Sequence, residues 1–171
     1  LFCPRFIVAL ISDELPNFTA MRLEEAIQQK HFPNEIEKAF VNVIFTANQF
    51  YANHLQRLKP HGISPEQFNV LRILRGSHPK TLSLMDIAGR MLDKNSNATR
   101  LVEKLRLKEL VTRNICPADR RQVDIGITGR GLSLLDLLDV EMKEWFNQFN
   151  HITEEEARQL NGLLDKIRGP H

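Results

Sequence analysis

The chain has 171 residues, 42% hydrophobic and 26% charged, with eight Gly and eight Pro. That is enough for one domain with a core, and it excludes wholesale disorder, a collagenous chain and a low-complexity chain. The net charge of +2 is unevenly spread: Leu82 to Gly131 carries ten Lys/Arg against six acids, a local +4 that suits a phosphate backbone.

The first residue is Leu, and Phe6 to Ile11 is too short an apolar run for a secretory leader, with Ser12-Asp13-Glu14 following at once. Met21 opens a stretch of helical character. Two readings of Leu1 to Ala20 stay open: sequence upstream of the native start, or a genuine N-terminal extension. Residues 1–20 are therefore set apart from the fold, and 1–33 as a whole read as an N-terminal extension. A short helix is expected from about Leu23 to Gln29, ending before Pro33. Asn34 can cap a long helix whose apolar positions, Ile36, Phe40, Val43, Ile44, Ala47, Tyr51, Leu55 and Leu58, step by threes and fours. Pro60 and Gly62 end it.

Ser64-Pro65-Glu66-Gln67 starts the next helix, with Ser64 and Gln67 as a capping box and Pro65 at its first position. Phe68, Leu71 and Leu74 mark its buried face. A short helix follows from Ser83 to Met91, then a polar turn, Asp93 to Asn97, then a helix to about Leu110. In that helix Ala98, Leu101, Val102 and Leu105 share one face, opposite Arg100, Lys104 and Lys108. Two short helices joined by a tight turn, the second with a basic outer face, meet the requirement of a helix-turn-helix.

The period then changes to two. Val111 to Cys116 and Gln122 to Ile127 read as strands around the turn Pro117 to Arg121. A hairpin placed there makes a winged helix. Thr128 to Phe149 returns to helix and is apolar nearly all round, so a subunit interface is expected on it, with Trp145, Phe146 and Phe149 in the interface core. Thr153 to Glu156 is another capping-box start, and Leu160, Leu163, Leu164 and Ile167 line the last helix.

Asn97 to Arg113 (NATRLVEKLRLKELVTR) and Pro117 to Gly131 (PADRRQVDIGITGRG) together resemble the recognition helix and wing of the multiple-antibiotic-resistance regulator (MarR) family. Helix order agrees from about Asn34 to Ile167. The resemblance implies a mainly α fold with a small β-hairpin: a winged helix-turn-helix carried between N- and C-terminal dimerisation helices. Residues 34–62 and 128–171 would be the dimerisation helices and 63–127 the DNA-binding core. It implies a homodimeric, cytoplasmic transcription regulator, a repressor without enzymatic activity, on a pseudo-palindromic duplex. The other class left open is a winged-helix module that binds protein and not DNA.

Residue by residue, Asp119 and Arg121 match the wing's Asp-x-Arg. The resemblance gives Arg121 to the minor groove and Asp119 to bracing, with Arg120 beside a phosphate. Ser96, Asn97, Thr99 and Arg100 match the start of the recognition helix, and helix capping is the competing role for the first three. Lys104, Lys108 and Arg113 suit phosphates. Where the family has Gly after this helix the chain has Glu109, so either the helix ends differently or the turn is strained. A small aromatic acid is the expected effector, in a cleft lined by Phe50, His54, Arg57, Phe68 and Arg72. Cys3 and Cys116 make no disulfide framework, and Cys116 reads as an ordinary strand thiol rather than a redox sensor. The six histidines show no metal-ligand spacing, and neither a metal nor a cofactor is expected.

Overall fold

A computed structural model describes residues 21–115, 123–149 and 151–169. In chain order the elements are α1 (Leu23–Ala26), α2 (Glu35–Leu58), a 3-10 turn (Lys59–His61), α3 (Pro65–Arg75), α4 (Leu84–Arg90), α5 (Ala98–Leu107), β1 (Val111–Ile115), β2 (Val123–Ile127), α6 (Gly129–Phe146), a second 3-10 turn (Asn147–Phe149) and α7 (Glu154–Arg168). The expected helices and hairpin are all there. The chain falls into two compact units that divide between Asn69 and Val70, inside α3. Questions about Leu1 to Ala20 and about Cys116 lie outside the described residues.

In the first unit α1 is shorter than its periodicity suggests. Gln28 takes a left-handed φ of 54°. The Gln29 amide then donates to the Glu24 carbonyl at 3.0 Å, which closes the helix end. Lys38 on α2 pairs with Glu24 at 2.5 Å. Asn34 starts α2 as expected: its side-chain oxygen accepts from the Glu37 amide and its side-chain NH₂ donates to the Glu37 carboxylate, both at 2.9 Å. Leu58 is buried, but Ile36, Phe40, Val43, Ile44, Tyr51 and Leu55 of the same stripe are exposed by 41–71%. The capping box opening α3 is present. Ser64 Oγ accepts from the Gln67 amide at 3.3 Å and Gln67 Oε1 accepts from the Ser64 amide at 3.0 Å.

The second unit holds a continuous core of Leu71, Leu74, Leu82, Ile87, Met91, Val102, Leu105, Leu110, Val111, Ile125, Leu135 and Leu138. Each large aliphatic side chain buried this way stabilises the fold by roughly 1.5–3 kcal/mol relative to exposure. β1 and β2 pair antiparallel with Val111 opposite Ile127 and Arg113 opposite Ile125. Leu82 adds a rung on the far side of β2, exchanging two backbone hydrogen bonds of 2.9 Å with Ile125. Arg72 and Arg75 of α3 both reach Asp139 of α6. Arg75 binds it through two nitrogens at 2.7 and 3.1 Å, and Arg72 at 2.9 Å.

The junction into α6 explains the Thr-x-x-Gly pattern. Thr128 Oγ1 accepts from the Gly131 amide at 3.0 Å and donates to the Glu109 carbonyl at 2.8 Å. A Cβ on Gly131 would lie 2.4 Å from the Leu110 carbonyl oxygen and 2.8 Å from Ile127 Cγ1, so only hydrogen fits. α6 buries Leu135, Leu138, Met142 and Trp145 and exposes Leu137, Val140 and Phe146. The expectation for Trp145 needs correcting: it is only 5% exposed within a single chain, in ring contact with Phe146 and Phe149. Its burial needs no partner subunit. α7 has the expected Thr153–Glu156 capping box, yet Leu160, Leu163 and Ile167 all remain exposed.

Candidate nucleic-acid interface

Local hydrogen bonds build the helix-turn-helix. Ser83 and Asp86 form a capping box at the start of α4. In the turn Asp93 accepts from Ser96 Oγ at 2.7 Å and from the Asn95 amide at 2.9 Å, while Lys94 Nζ donates to the Gly89 carbonyl at 2.6 Å. The Ser96 hydroxyl, then the Asn95 amide, hold the Asp93 carboxyl below its ordinary value, so this brace stays ionised. Asn97 caps α5, its side-chain oxygen accepting from the Arg100 amide at 3.0 Å.

α5 buries Ala98, Val102 and Leu105 and turns Thr99, Arg100, Lys104 and Arg106 to solvent. Of the residues anticipated for DNA, Ser96 and Asn97 are thus engaged in bracing and capping, and Thr99, Arg100 and Lys104 share the outer face. Arg113 projects from β1, exposed. Asp119, Arg120 and Arg121 lie outside the described residues.

Two charged pairs escaped the sequence reading. Glu103 is gripped by Arg106, whose Nε donates to both carboxylate oxygens at 3.1 and 3.2 Å and whose Nη2 donates at 2.8 Å. Opposite charges three residues apart on a helix were the available signal. Glu109 carries a left-handed φ of 60°, and its carboxylate meets Arg130 at 2.8 Å. Its turn is the usual glycine-type ending: the Glu109 amide donates to the Arg106 carbonyl at 2.9 Å and the Leu110 amide to the Leu105 carbonyl at 3.0 Å. The helix therefore ends where a Gly would end it, and the strain alternative holds.

The residues expected around an effector divide between the units. Phe50, His54, Arg57 and Phe68 belong to the first, Arg72 to the second. His54 and Phe68 meet edge to face with ring centroids 5.2 Å apart, and Tyr51 donates to Glu66 at 2.7 Å nearby. Burial lowers the basicity of His54, opposed by the Glu66 charge, so the ring is neutral at pH 7. Arg72 has its guanidinium on Asp139, a competitor for any ligand carboxylate. Gln67 is 5% exposed, and its side-chain NH₂ meets no acceptor among the described residues. Among the described residues no group of three or more His, Cys, Asp or Glu could hold a metal ion. No helix among them is long and apolar enough to cross a membrane.

A family model described as the MarR family matches residues 63–123, from the end of the first unit to the start of β2. The HTH-type transcriptional regulator MhqR of Bacillus subtilis is 30% identical over 134 residues, covering 76% of this chain and 89% of that protein. The chain belongs to the MarR family. It is a MarR-type transcription regulator and not an enzyme. Two solved MarR-like structures share its winged-helix fold. The S. aureus MepR–DNA complex superposes with a TM-score of 0.68 at 23% identity, covering 80% of this chain and 96% of that one. Bordetella bronchiseptica BpsR, solved to explain regulation of its DNA binding by 6-hydroxynicotinic acid, gives 0.64 at 22% identity, covering 83% and 99%.

Proposed function

We propose that this MarR-family chain is a homodimeric, ligand-responsive repressor in the cytoplasm. Each copy lays α5 in a major groove and Arg121 in the adjoining minor groove of a pseudo-palindromic operator. The observation that carries this reading is the two-sidedness of α5. One stripe is sealed in the core, while Thr99, Arg100 and Lys104 stand opposite it in a segment of local +4 charge. Thr99 and Arg100 have the reach and chemistry for base edges, Lys104, Lys108, Arg113 and Arg120 for phosphates, and Arg121 for the minor groove. Asp119 would brace the wing. Ser96 and Asn97 serve the interface by fixing where α5 begins.

Dimerisation falls to residues 34–62 and 128–171, and reading to 63–127. Exposed apolar stripes on α2 and α7, with the exposed Leu137 and Val140 of α6, support that division. A second copy covering them would bury well over ~2,000 Å², the range of obligate pairs. For the effector, Phe50, His54, Arg57 and Phe68 offer aromatic walls and a cation to a small aromatic acid, and the buried Gln67 amide offers a donor. BpsR's response to an aromatic acid supports that class. Arg72, the other residue expected there, belongs to the second unit and has its guanidinium on Asp139.

The test is a titration of a mixed-sequence 30-base-pair duplex at low and moderate salt. Binding should fall steeply with salt, and Arg100→Ala should cost roughly 1–3 kcal/mol on duplex selected from a random pool. No binding at low salt would overturn DNA recognition in favour of a protein-interaction module.

A further inference from the structure

The outer face of α5 is not uniformly basic. At 3.6 residues per turn, Arg100 and Leu107 lie opposite the buried Ala98–Val102–Leu105 stripe, with Glu103 and Lys104 flanking that line about 50° to either side. Glu103 thus lies on the surface assigned above to the major groove, between Thr99 and Arg100 around the helix. Its carboxylate is partly exposed and is held in a fixed fork by Arg106 through Nε at 3.1 and 3.2 Å and Nη2 at 2.8 Å. The Arg106 hydrogen bonds and the charges of Arg106 and Arg113 keep this carboxyl below its ordinary value, so it is ionised at neutral pH.

A carboxylate in this position accepts hydrogen bonds and cannot donate them. Phosphates also only accept, so Glu103 gains nothing from the duplex backbone and repels it. In the major groove, the donor that pairs with such a carboxylate is the exocyclic amino group of cytosine. The Arg106 fork spends that arginine's charge inside the protein rather than on phosphate, and leaves lone pairs of the carboxylate for a further donor.

We propose that Glu103 is a specificity-determining residue of the DNA interface: its own carboxylate disfavours duplex at large and accepts a cytosine amino group at the preferred site. The proposal rests on the DNA-binding reading above. It adds a role for a negative charge that phosphate attraction alone does not explain.

The experiment compares wild type, Glu103→Gln and Arg106→Gln in selection from one pool of random 30-base-pair duplexes, with affinity for the unselected pool measured alongside. Glu103→Gln should bind the unselected pool about two- to fivefold tighter per recognition helix, the size of an exposed charge–charge term. It should also return a motif that has lost a cytosine preference at one position in each half-site. Arg106→Gln breaks the same ion pair but keeps the carboxylate, and should retain that cytosine. An unchanged motif or unchanged pool affinity for Glu103→Gln overturns the proposal while leaving DNA binding intact. Loss of the cytosine in both variants also overturns it, since the ion pair and not the carboxylate would then be responsible. A wild-type protein that binds no duplex and enriches nothing overturns the DNA-binding reading, and this inference with it.

Discussion

α5 and α7 carry the same kind of sequence and meet different fates. Both are amphipathic helices with a polar cap at the start and apolar residues three and four positions apart. α5 buries Val102 and Leu105 completely, whereas α7 leaves Leu160, Leu163 and Ile167 each about half exposed. Periodicity establishes that a helix has a face to cover; it does not say whether the cover comes from the same chain. In α5 the chain itself closes the face and frees the opposite side for recognition. In α7, and along α2, the face stays exposed in the single chain.

The sharpest way to break this contrast is a charge on each class of leucine. Leu163→Asp should leave the monomer fold and its melting temperature nearly intact, because the side chain is solvated there. It should weaken self-association by at least ~100-fold, since the dimer would bury an unpaired charge. Unchanged sedimentation would place the interface elsewhere. Trp145, already buried in one chain, is the wrong probe: its substitution would report folding.

On the self-sufficient side, Gly131→Ala should cost ~3 kcal/mol, because its Cβ collides with a backbone carbonyl that cannot swing away. Chemical denaturation checks it, and a neutral result would mean that α6 can shift away from the hairpin.

A smaller effect belongs to the clamp between α3 and α6. The Arg75 hydrogen bonds, then the charges of Arg75 and Arg72, draw the Asp139 carboxyl below its ordinary value. Its contribution is therefore present above the unfolded value near ~3.9 and is lost as pH falls through the lower folded value. Asp139→Asn should cost ~1 kcal/mol at pH 7, discounted for partial exposure, and the gap from wild type should close as the medium is acidified below about pH 4. A gap that persists at low pH would make the loss one of packing.

The smallest expected effect is a gain. Glu109→Gly relieves a left-handed residue and gives up an exposed ion pair with Arg130, for a net stabilisation of ~0.5–1 kcal/mol. Differential scanning calorimetry should show the melting temperature rise by about 2 °C.

What could be read beforehand follows the range of the interactions. The caps at Asn34, Ser64, Asn97 and Thr153 depend on residues three apart and were legible, while the Ser83–Asp86 capping box obeys the same rule and was passed over. So was the trouble at Glu109, where a side chain occupies a position that favours glycine. The early stop of α1 was not, because nothing about Gln28 marks it for a left-handed backbone. The Arg72–Asp139 pair spans 67 positions, and no local rule joins two such residues. That is why Arg72 reads as a ligand group from sequence and as half of an ion pair in the fold. The outer face of α5 was legible for its cations and not for Glu103, since a search for basic residues passes over the acid that disciplines them. The wing residues Asp119, Arg120 and Arg121 rest on the family motif alone.

On the proposed reading, two copies of one chain present two α5 helices to one duplex. Sedimentation velocity of the full chain, alone and with a mixed-sequence 30-base-pair duplex at low salt, tests this directly. The prediction is a particle of twice the chain mass at micromolar concentration, which co-sediments with the duplex and is released as salt rises. A monomer at tens of micromolar, or a dimer that leaves the duplex unmoved at low salt, would contradict it.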